Sequence, residues 1–249
     1  MLNYFELINT EVKSKVRDNW IMLPVGSIEQ HGPHLPLSVD TDIAKAICVE
    51  IAQQENFIVA PEISYSTRSL SFSGGGDAFI GSVYLSGSTF IQYLSEILQS
   101  YFENGVNKIV IVNGHFENIS YIYEAIELCR AKQGLNDKYI IALNWWDILS
   151  NEYMATVTNN KFKSWNLEHA GIVETSLQLF IKPDTVKEFE GLDFNEIRDN
   201  FYSHPILNRN KSKNGSLSSP HGANAKIGSD IFYYICTTLK NKIRELEKE

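Results

Sequence analysis

The chain has 249 residues, and its 22 Lys and Arg against 30 Asp and Glu give a formal net charge of -8 at pH 7. This length fits one large α/β domain or two small ones and is sufficient to bury a core without a disulfide framework. The acidic balance argues against general binding to nucleic acid or to an anionic membrane, because both require a basic surface.

Four short apolar runs predict buried strands. They are Trp20–Val25, Phe57–Pro61, Lys108–Asn113 and Tyr139–Trp145. Each is rich in apolar residues over several consecutive positions and is bounded by polar residues or Gly. Continuous rather than alternating hydrophobicity favours strands that are covered on both faces, as in a parallel sheet.

Segments with helical spacing of apolar residues lie between and after these strands. They are Asp42–Gln53, Thr89–Glu103, Asn118–Lys132, Gly171–Phe180 and Ala223–Glu249. Strands that alternate with helices imply βαβ crossovers, so we predict a single three-layer α/β/α domain over residues 1–249 with a mostly parallel sheet. The polar region Glu188–Pro220 is expected to form a long surface excursion, either partly mobile or ordered by a neighbouring subunit.

Cysteine spacing and hydropathy narrow the class of protein further. Cys48, Cys129 and Cys236 are too widely spaced for a zinc knuckle or a thioredoxin-type site. No stretch reaches the ~18 apolar residues that span a bilayer, and the N-terminus is too mixed in charge for a signal peptide. We therefore expect a soluble, cytoplasmic protein in which any metal is held by the six histidines and by carboxylates.

Imidazole and carboxylate pairs follow two of the predicted strands. Glu29 and His31 come after the first strand, and His115 and Glu117 come after the third. Ligand sites in open α/β sheets lie beyond the carboxyl ends of the strands. Two such pairs with a bridging Asp would supply the ligands of a pair of divalent ions, and mixed imidazole and carboxylate ligands favour Zn or Mn. A single pair of this kind is more often a surface hydrogen bond. The residues alone therefore leave open whether these pairs bind metal or only form hydrogen bonds at the surface.

Two further motifs have an ordinary structural interpretation. The run Ser73–Asp77 contains three glycines but lacks the Lys of a phosphate-binding P-loop, which favours a flexible active-site or subunit-contact loop. Trp145 and Trp146 are adjacent, and one of two neighbouring tryptophans normally faces the core.

At these residues the sequence resembles the creatininase (creatinine amidohydrolase) family. The resemblance begins at Leu23–Gly32 and continues through Asp40, and it resumes at Ser73–Gly76, Val112–Asn118 and Trp165–Ser176. The loop His115-Phe116-Glu117-Asn118 narrows it to the creatininase subgroup. Two positions depart from that subgroup, since Asp42 stands where an apolar residue is expected and Trp145 where a Tyr is expected.

The resemblance implies a ligand set and a substrate pocket. Glu29 and His115 would hold one ion, His31 and Glu117 the other, and Asp40 would bridge two divalent ions, Zn with Mn possible at one site. Trp146 would be a pocket wall and Trp165 a movable lid, with Ser73, Gly74 and Gly75 binding substrate. His169 would transfer protons, and the adjacent Glu168 would orient it or raise its pKa. The family fold is a three-layer α/β/α domain, usually in a homohexamer.

The predicted function is hydrolysis of a cyclic amide, creatinine to creatine, by a metal-activated bridging water. The substrate is a small molecule, with neither nucleic acid nor membrane as partner. One alternative is another family hydrolase, such as a formylamino-pyrimidine nucleotide deformylase, for which Arg68 is the obvious phosphate anchor, or an opener of a cyclic ketone or lactam. A metal-binding scaffold protein without catalysis is the third interpretation, and it leaves His169 and Trp165 without a purpose.

Overall fold

The computed structural model describes residues 2–70, 73, 76–134, 137–192, 202–208 and 211–248. Across these residues, five parallel strands form one sheet in the order β1-β3-β2-β4-β5. The strands are β1 (Leu2–Asn3), β2 (Trp20–Val25), β3 (Ile58–Val59), β4 (Lys108–Asn113) and β5 (Tyr139–Asn144). The predicted parallel sheet is therefore confirmed, with a shorter β3 than expected and an additional edge strand at the N-terminus.

Helices cover both faces of this sheet. They are α1 (Asn9–Val16), α2 (Val39–Glu55), α3 (Gly87–Glu103), α4 (Asn118–Gln133), α5 (Asn151–Val157), α6 (Ile172–Ile181) and α7 (Ala225–Leu246). Alternate residues of a strand point to opposite faces. Trp20 and Met22 of β2 accordingly pack with α2, α6 and α7, whereas Ile21 and Leu23 pack with α3 and α4. The result is the predicted three-layer α/β/α architecture. None of the helices in the described part has both the length and the apolar character needed to cross a membrane.

The strand order places a switch point at β2. The chain passes from β2 through α2 to β3 on one side, and then through α3 to β4 on the other side of β2. Ligands in open parallel sheets bind beyond the carboxyl ends of the strands at such a point. The segments that follow β2 and β4 carry the predicted ligand pairs, so the topology brings these pairs to one edge of the sheet.

Helix α2 begins three residues earlier than predicted, so Asp40 and Asp42 both lie in its first turn. Carboxylates are favoured there because the helix N-terminus carries a partial positive charge. Two glycines allow the strand ends to approach this turn. A Cβ atom on Gly114 would lie 2.2 Å from the Asp40 carbonyl oxygen, and one on Gly26 would lie 2.4 Å from the backbone nitrogen of Thr41.

The region Glu188–Pro220 is not simply a surface excursion. Residues 193–201 and 209–210 of it lie outside the described residues. Ser216, Leu217 and Ser218 are buried, and the backbone N–H of Leu217 donates to the His169 carbonyl oxygen at 2.9 Å. The surface prediction is wrong for residues 216–218, because their side chains are buried and Leu217 is hydrogen-bonded to the backbone of a residue at the functional site.

Candidate metal centre and active site

One carboxylate and two imidazoles meet where the first turn of α2 faces the ends of β2 and β4. Asp40 Oδ1 lies 3.1 Å from His31 Nε2, and Asp40 Oδ2 lies 3.1 Å from His115 Nδ1. All three side chains are buried. Asp40 therefore lies between the two histidines that the sequence predicts as ligands.

Three groups of side chains in the described residues place ligand atoms close enough to share a cation. The groups are Glu29, Asp40 and His115; His31, Asp40 and Glu174; and Glu29, His31 and His169. Within each group, the ligand atoms lie within 4.8 Å of one another. The first two groups share Asp40, so together they can hold a pair of ions with one bridging carboxylate.

Hydrogen bonding determines which nitrogen of His31 faces this centre. The Nδ1–H donates to the Glu29 carbonyl oxygen at 3.1 Å, so in the neutral ring that binds a metal the lone pair is on Nε2. His31 Nε2, Asp40 Oδ2 and His115 Nε2 are buried, and none of them forms a hydrogen bond with a described residue. Buried polar atoms normally have a hydrogen-bond partner. Acceptor atoms that face one another without one fit a divalent cation, so the residues present suit the metal that the sequence predicts.

Glu117 lies at the edge of the centre. Its Oε2 is 3.3 Å from His115 Nε2, and its Oε1 accepts hydrogen bonds from the backbone N–H of Leu70 at 3.0 Å and from the Ser73 hydroxyl. None of the ligand groups found in the described residues includes Glu117. The structure therefore does not pair Glu117 with His31, which departs from the pairing implied by the resemblance.

Glu174 takes the position next to His31. Its Oε2 lies 3.7 Å from His31 Nε2 and accepts a hydrogen bond from the backbone N–H of Ala170 at 2.6 Å. Glu174 belongs to the first turn of α6. It escapes prediction from the sequence because an acidic residue in the first turn of a helix is common for dipole reasons alone. Only the docking of α6 against α2 reveals that it reaches the centre.

The charged groups of the centre shift one another's pKa values. Burial would lower the pKa of His31, but the carboxylates of Asp40 and Glu174 outweigh it and raise the pKa to about 10. Burial would raise the pKa of Asp40, yet His31 and His115 hold this pKa well below its usual range. Burial raises the pKa of Glu174 to about 7, against the opposing charge of His31. His31 and Glu174 thus bind protons more tightly than usual, and a divalent cation would displace those protons on binding.

His169 lies beside the centre, with its ring centroid 4.3 Å from that of His31. Its Nε2 donates to the Gln30 carbonyl oxygen at 2.9 Å, because a carbonyl can only accept, and this leaves Nδ1 as an acceptor. Burial lowers the pKa of His169 well below its usual value, and the charge of His31 lowers it further. The imidazole is therefore neutral at pH 7 and has the form needed to accept a proton.

Glu168 is hydrogen-bonded to the start of α6. Its Oε1 accepts hydrogen bonds from the backbone N–H groups of Val173 at 2.6 Å and Glu174 at 3.3 Å, so it caps the first turn of α6. Burial raises the pKa of Glu168 to about 8, and the charge of Glu174 adds to this rise. The expectation that Glu168 orients His169 or raises its pKa is not met, because the carboxylate is occupied by α6 and the pKa of His169 is lowered.

A cavity of about 350 Å³ opens onto the centre, with Ser73 in its lining. Trp146 and Trp165 stand in its wall with ring planes 26° apart and centroids 6.4 Å apart. Trp145 is perpendicular to Trp146 and buried, so one of the two adjacent tryptophans belongs to the core as predicted. Gly74 and Gly75, predicted to bind substrate, lie outside the described residues.

The cavity is acidic. The carboxylates among its described lining residues are Glu29, Asp40, Glu117, Glu168 and Glu174, and neither Lys nor Arg is present among those residues. The candidate phosphate anchor, Arg68, has its guanidinium 4.5 Å from the centroid of the Tyr84 ring and is not part of the described cavity wall. This wall does not favour a phosphorylated ligand.

Comparisons with known proteins agree on one family. The creatininase family, described as creatinine amidohydrolase, matches residues 6–243. Creatinine amidohydrolase of Pseudomonas putida is 30% identical over 240 residues, which cover 94% of this chain and 92% of that protein. A mycofactocin precursor peptide peptidase of Mycolicibacterium smegmatis is 32% identical over 172 residues, which cover 67% of this chain and 59% of that protein.

Solved creatininase structures are similar in fold over almost all of the chain. They include a Zn-Zn form and a complex with creatine, both of a glutamate-to-glutamine mutant, and a Mn form. Each has a TM-score of 0.91 and 29–30% sequence identity, covering 98% of this chain and 97–98% of the other. The similarity therefore includes the strands and helices that carry the centre described above.

Proposed function

This chain belongs to the creatininase family of metal-dependent amidohydrolases, and from that premise we propose that it hydrolyses creatinine, a cyclic amide, to creatine. The observation that carries the proposal is the position of Asp40, which is 3.1 Å from both His31 and His115 at the base of a cavity walled by Trp146 and Trp165. A related structure complexed with creatine supports a small-molecule substrate of this class.

We propose two divalent ions, Zn at both positions or Mn at one. Glu29, Asp40 and His115 would hold one ion, and His31, Asp40 and Glu174 the other. When bound, such ions lower the pKa of coordinated water and polarise a carbonyl oxygen. The carboxylates of Glu29, Asp40, Glu117 and Glu174 balance the charge of two divalent ions. The loaded site is then close to neutral and suits an uncharged substrate.

The chain's own residues supply proton transfer and orientation. Opening the ring breaks a C–N bond, so the carbonyl carbon gains a hydroxyl from water and the leaving nitrogen gains a proton. His169, which lies beside the centre, would accept a proton from the attacking water and pass a proton to that nitrogen. Trp146 and Trp165 offer nearly parallel faces to a flat, delocalised ring and exclude water from the reaction.

The features of the cavity also distinguish the rival substrates. A formylamino-pyrimidine nucleotide carries a phosphate, for which the described wall offers no Lys or Arg. A peptide is the substrate class named for the mycobacterial relative, of which this chain covers 59%. A cavity of about 350 Å³ accommodates a small ring more readily than an extended peptide. We also propose a homohexamer, by resemblance to the family, which sedimentation analysis would test.

The function is tested by removing metal with a chelator, restoring Zn or Mn, and offering three substrates to the reloaded protein. They are creatinine, a formylamino-pyrimidine nucleotide and a short peptide. We expect metal-dependent turnover of creatinine and at least tenfold lower efficiency with the other two. Preferential turnover of the nucleotide or the peptide would contradict the substrate proposal. Metal binding without turnover of any of the three would favour the scaffold interpretation.

A further inference from the structure

A second buried carboxylate follows the shared ligand in the first turn of α2. Asp42 is 6% exposed, and two helical positions separate it from Asp40 by ~200° around the helix axis, so the two side chains point to opposite sides. Its Oδ2 accepts hydrogen bonds from the Ser38 hydroxyl at 2.8 Å and from Gln178 Nε2 at 3.2 Å. Its Oδ1 pairs with Lys182 Nζ at 2.5 Å. Asp42 therefore faces α6 rather than the metal centre.

Two of the partners of Asp42 follow Glu174 along one stripe of α6. Gln178 lies four residues after Glu174, and residues at this spacing share one face of a helix. Lys182 continues the spacing as the residue directly after the last residue of the helix. Glu174 reaches His31 from this stripe, while the other two hold Asp42. One face of α6 thus contacts the first turn of α2 and supplies a carboxylate to the centre.

The contact is specific in geometry. Gln178 is buried, and its Nε2 also contacts Thr185 Oγ1 at 2.9 Å, which restricts its rotamer. The Lys182 side chain is half exposed, so water screens part of its attraction to Asp42. Well-packed apolar residues often stabilise a fold as well as a buried ion pair does. We therefore expect Asp42 to matter less for the stability of the fold than for the relative position of α2 and α6. These two helices carry the proposed ligands Asp40 and Glu174.

We infer that Asp42 is a positioning residue, which sets the separation of Asp40 on α2 from Glu174 on α6 and thereby the metal affinity of the His31–Asp40–Glu174 group. The inference rests on the two-ion site proposed above. The Glu29–Asp40–His115 group contains no residue of α6. Loss of the Asp42 contacts should consequently weaken binding of the ion held with Glu174 much more than binding of the ion held with Glu29 and His115.

The test is a titration of the metal-free full chain with Mn²⁺, followed by equilibrium dialysis and by the EPR signal of spin-coupled ion pairs. The parent protein is compared with Asp42→Asn and with Lys45→Gln as a matched control. Lys45 lies on the same helix and pairs with Glu62 at 2.8 Å, so its substitution removes an ion pair of α2 without touching the hydrogen bonds of Asp42. We expect two ions in the parent and in the control. In Asp42→Asn, we expect one ion at parental affinity, a second weakened by roughly 10–100-fold, and loss of the coupled EPR signal.

Two results would overturn the inference while leaving the two-ion site intact. One is Asp42→Asn binding both ions with parental affinity, and the other is equal weakening of both ions, as in general loosening of the fold. A parent that binds fewer than two ions would instead overturn the two-ion site and the inference with it. Should Asp42→Asn fail to fold, Lys182→Gln removes a half-exposed partner, and the same selective loss is expected at about three- to tenfold. Unchanged affinities in that variant would also contradict the inference.

Discussion

Asp40 Oδ1 lies 3.1 Å from His31 Nε2, yet this buried nitrogen forms no hydrogen bond with any residue that the structure describes. A cation between the two atoms would explain their approach. Asp40→Asn should therefore weaken both ions, by more than the ~10–100-fold that changes around a ligand cost. Metal content after dialysis measures this, with Glu50→Gln at the other end of α2 as control. Two ions retained in Asp40→Asn would contradict the shared-ligand assignment.

Substitution of Glu174 and substitution of Glu117, on either side of the centre, should differ in their effect on metal binding. Glu174 belongs to a three-residue ligand group, whereas Glu117 lies beside His115 without belonging to one. We expect Glu174→Gln to release one ion, and Glu117→Gln to retain both with a lower affinity for the ion held by His115. Competition with a chelator measures both variants. Release of an ion by Glu117→Gln alone would favour the pairing that the family resemblance implies.

His169→Gln separates proton transfer from metal binding. The amide of Gln can still donate to the Gln30 carbonyl oxygen in place of Nε2–H, but it offers no basic nitrogen in place of Nδ1. We expect kcat to fall by ~10²–10⁴ while both ions stay bound. His221→Gln, at an exposed histidine paired with Glu190, is the control and should keep full activity. An active His169→Gln enzyme would remove this histidine from the mechanism.

Acid should destabilise the fold through His34. This buried side chain has Nε2 2.9 Å from Thr175 Oγ1, and burial, aided by the charge of His31, lowers its pKa to about 4. The unfolded chain takes up a proton near pH ~6.5 and the folded chain only near pH 4. The stability present above pH ~6.5 is therefore lost as the pH falls through this window, by up to about 3 kcal/mol.

Urea unfolding of the parent and of His34→Gln between pH 7 and pH 4, in the presence of chelator, measures this loss. We expect a flatter dependence of the free energy of unfolding on pH in the variant. His221→Gln, at an exposed histidine far from His34 in the chain, is the control variant. Parallel slopes for His34→Gln and the parent would show that His34 titrates normally in the folded state.

Much of the sheet could be predicted from sequence for a physical reason. Strands β2 and β4 are buried on nearly every side chain, so their apolar runs are continuous and sharply bounded. Edge strand β1 spans only Leu2–Asn3, which is too short to show a pattern. Helix α1 has Val16 as its one buried residue, so its weakly apolar sequence does not reveal it.

In the candidate site, as in the sheet, some features could be predicted from sequence and others could not. The closeness of Glu29, His31 and His115 could be predicted because they follow buried strands, whose ends a parallel sheet brings together. Glu174 and the buried segment 215–218 could not, because their closeness to the centre depends on how α6 and a late loop pack against it. The contacts of Glu168 could not be predicted either, because its carboxylate bonds to the backbone of α6, five and six residues further along the chain.

The measurement that tests the proposed function most directly follows creatinine and creatine together in a reaction containing protein of known metal content. With two divalent ions bound per chain, we predict that creatinine is consumed and creatine forms in equal amounts, and that a chelator stops both changes. Fully loaded protein that leaves millimolar creatinine unchanged and forms no creatine would contradict the assignment.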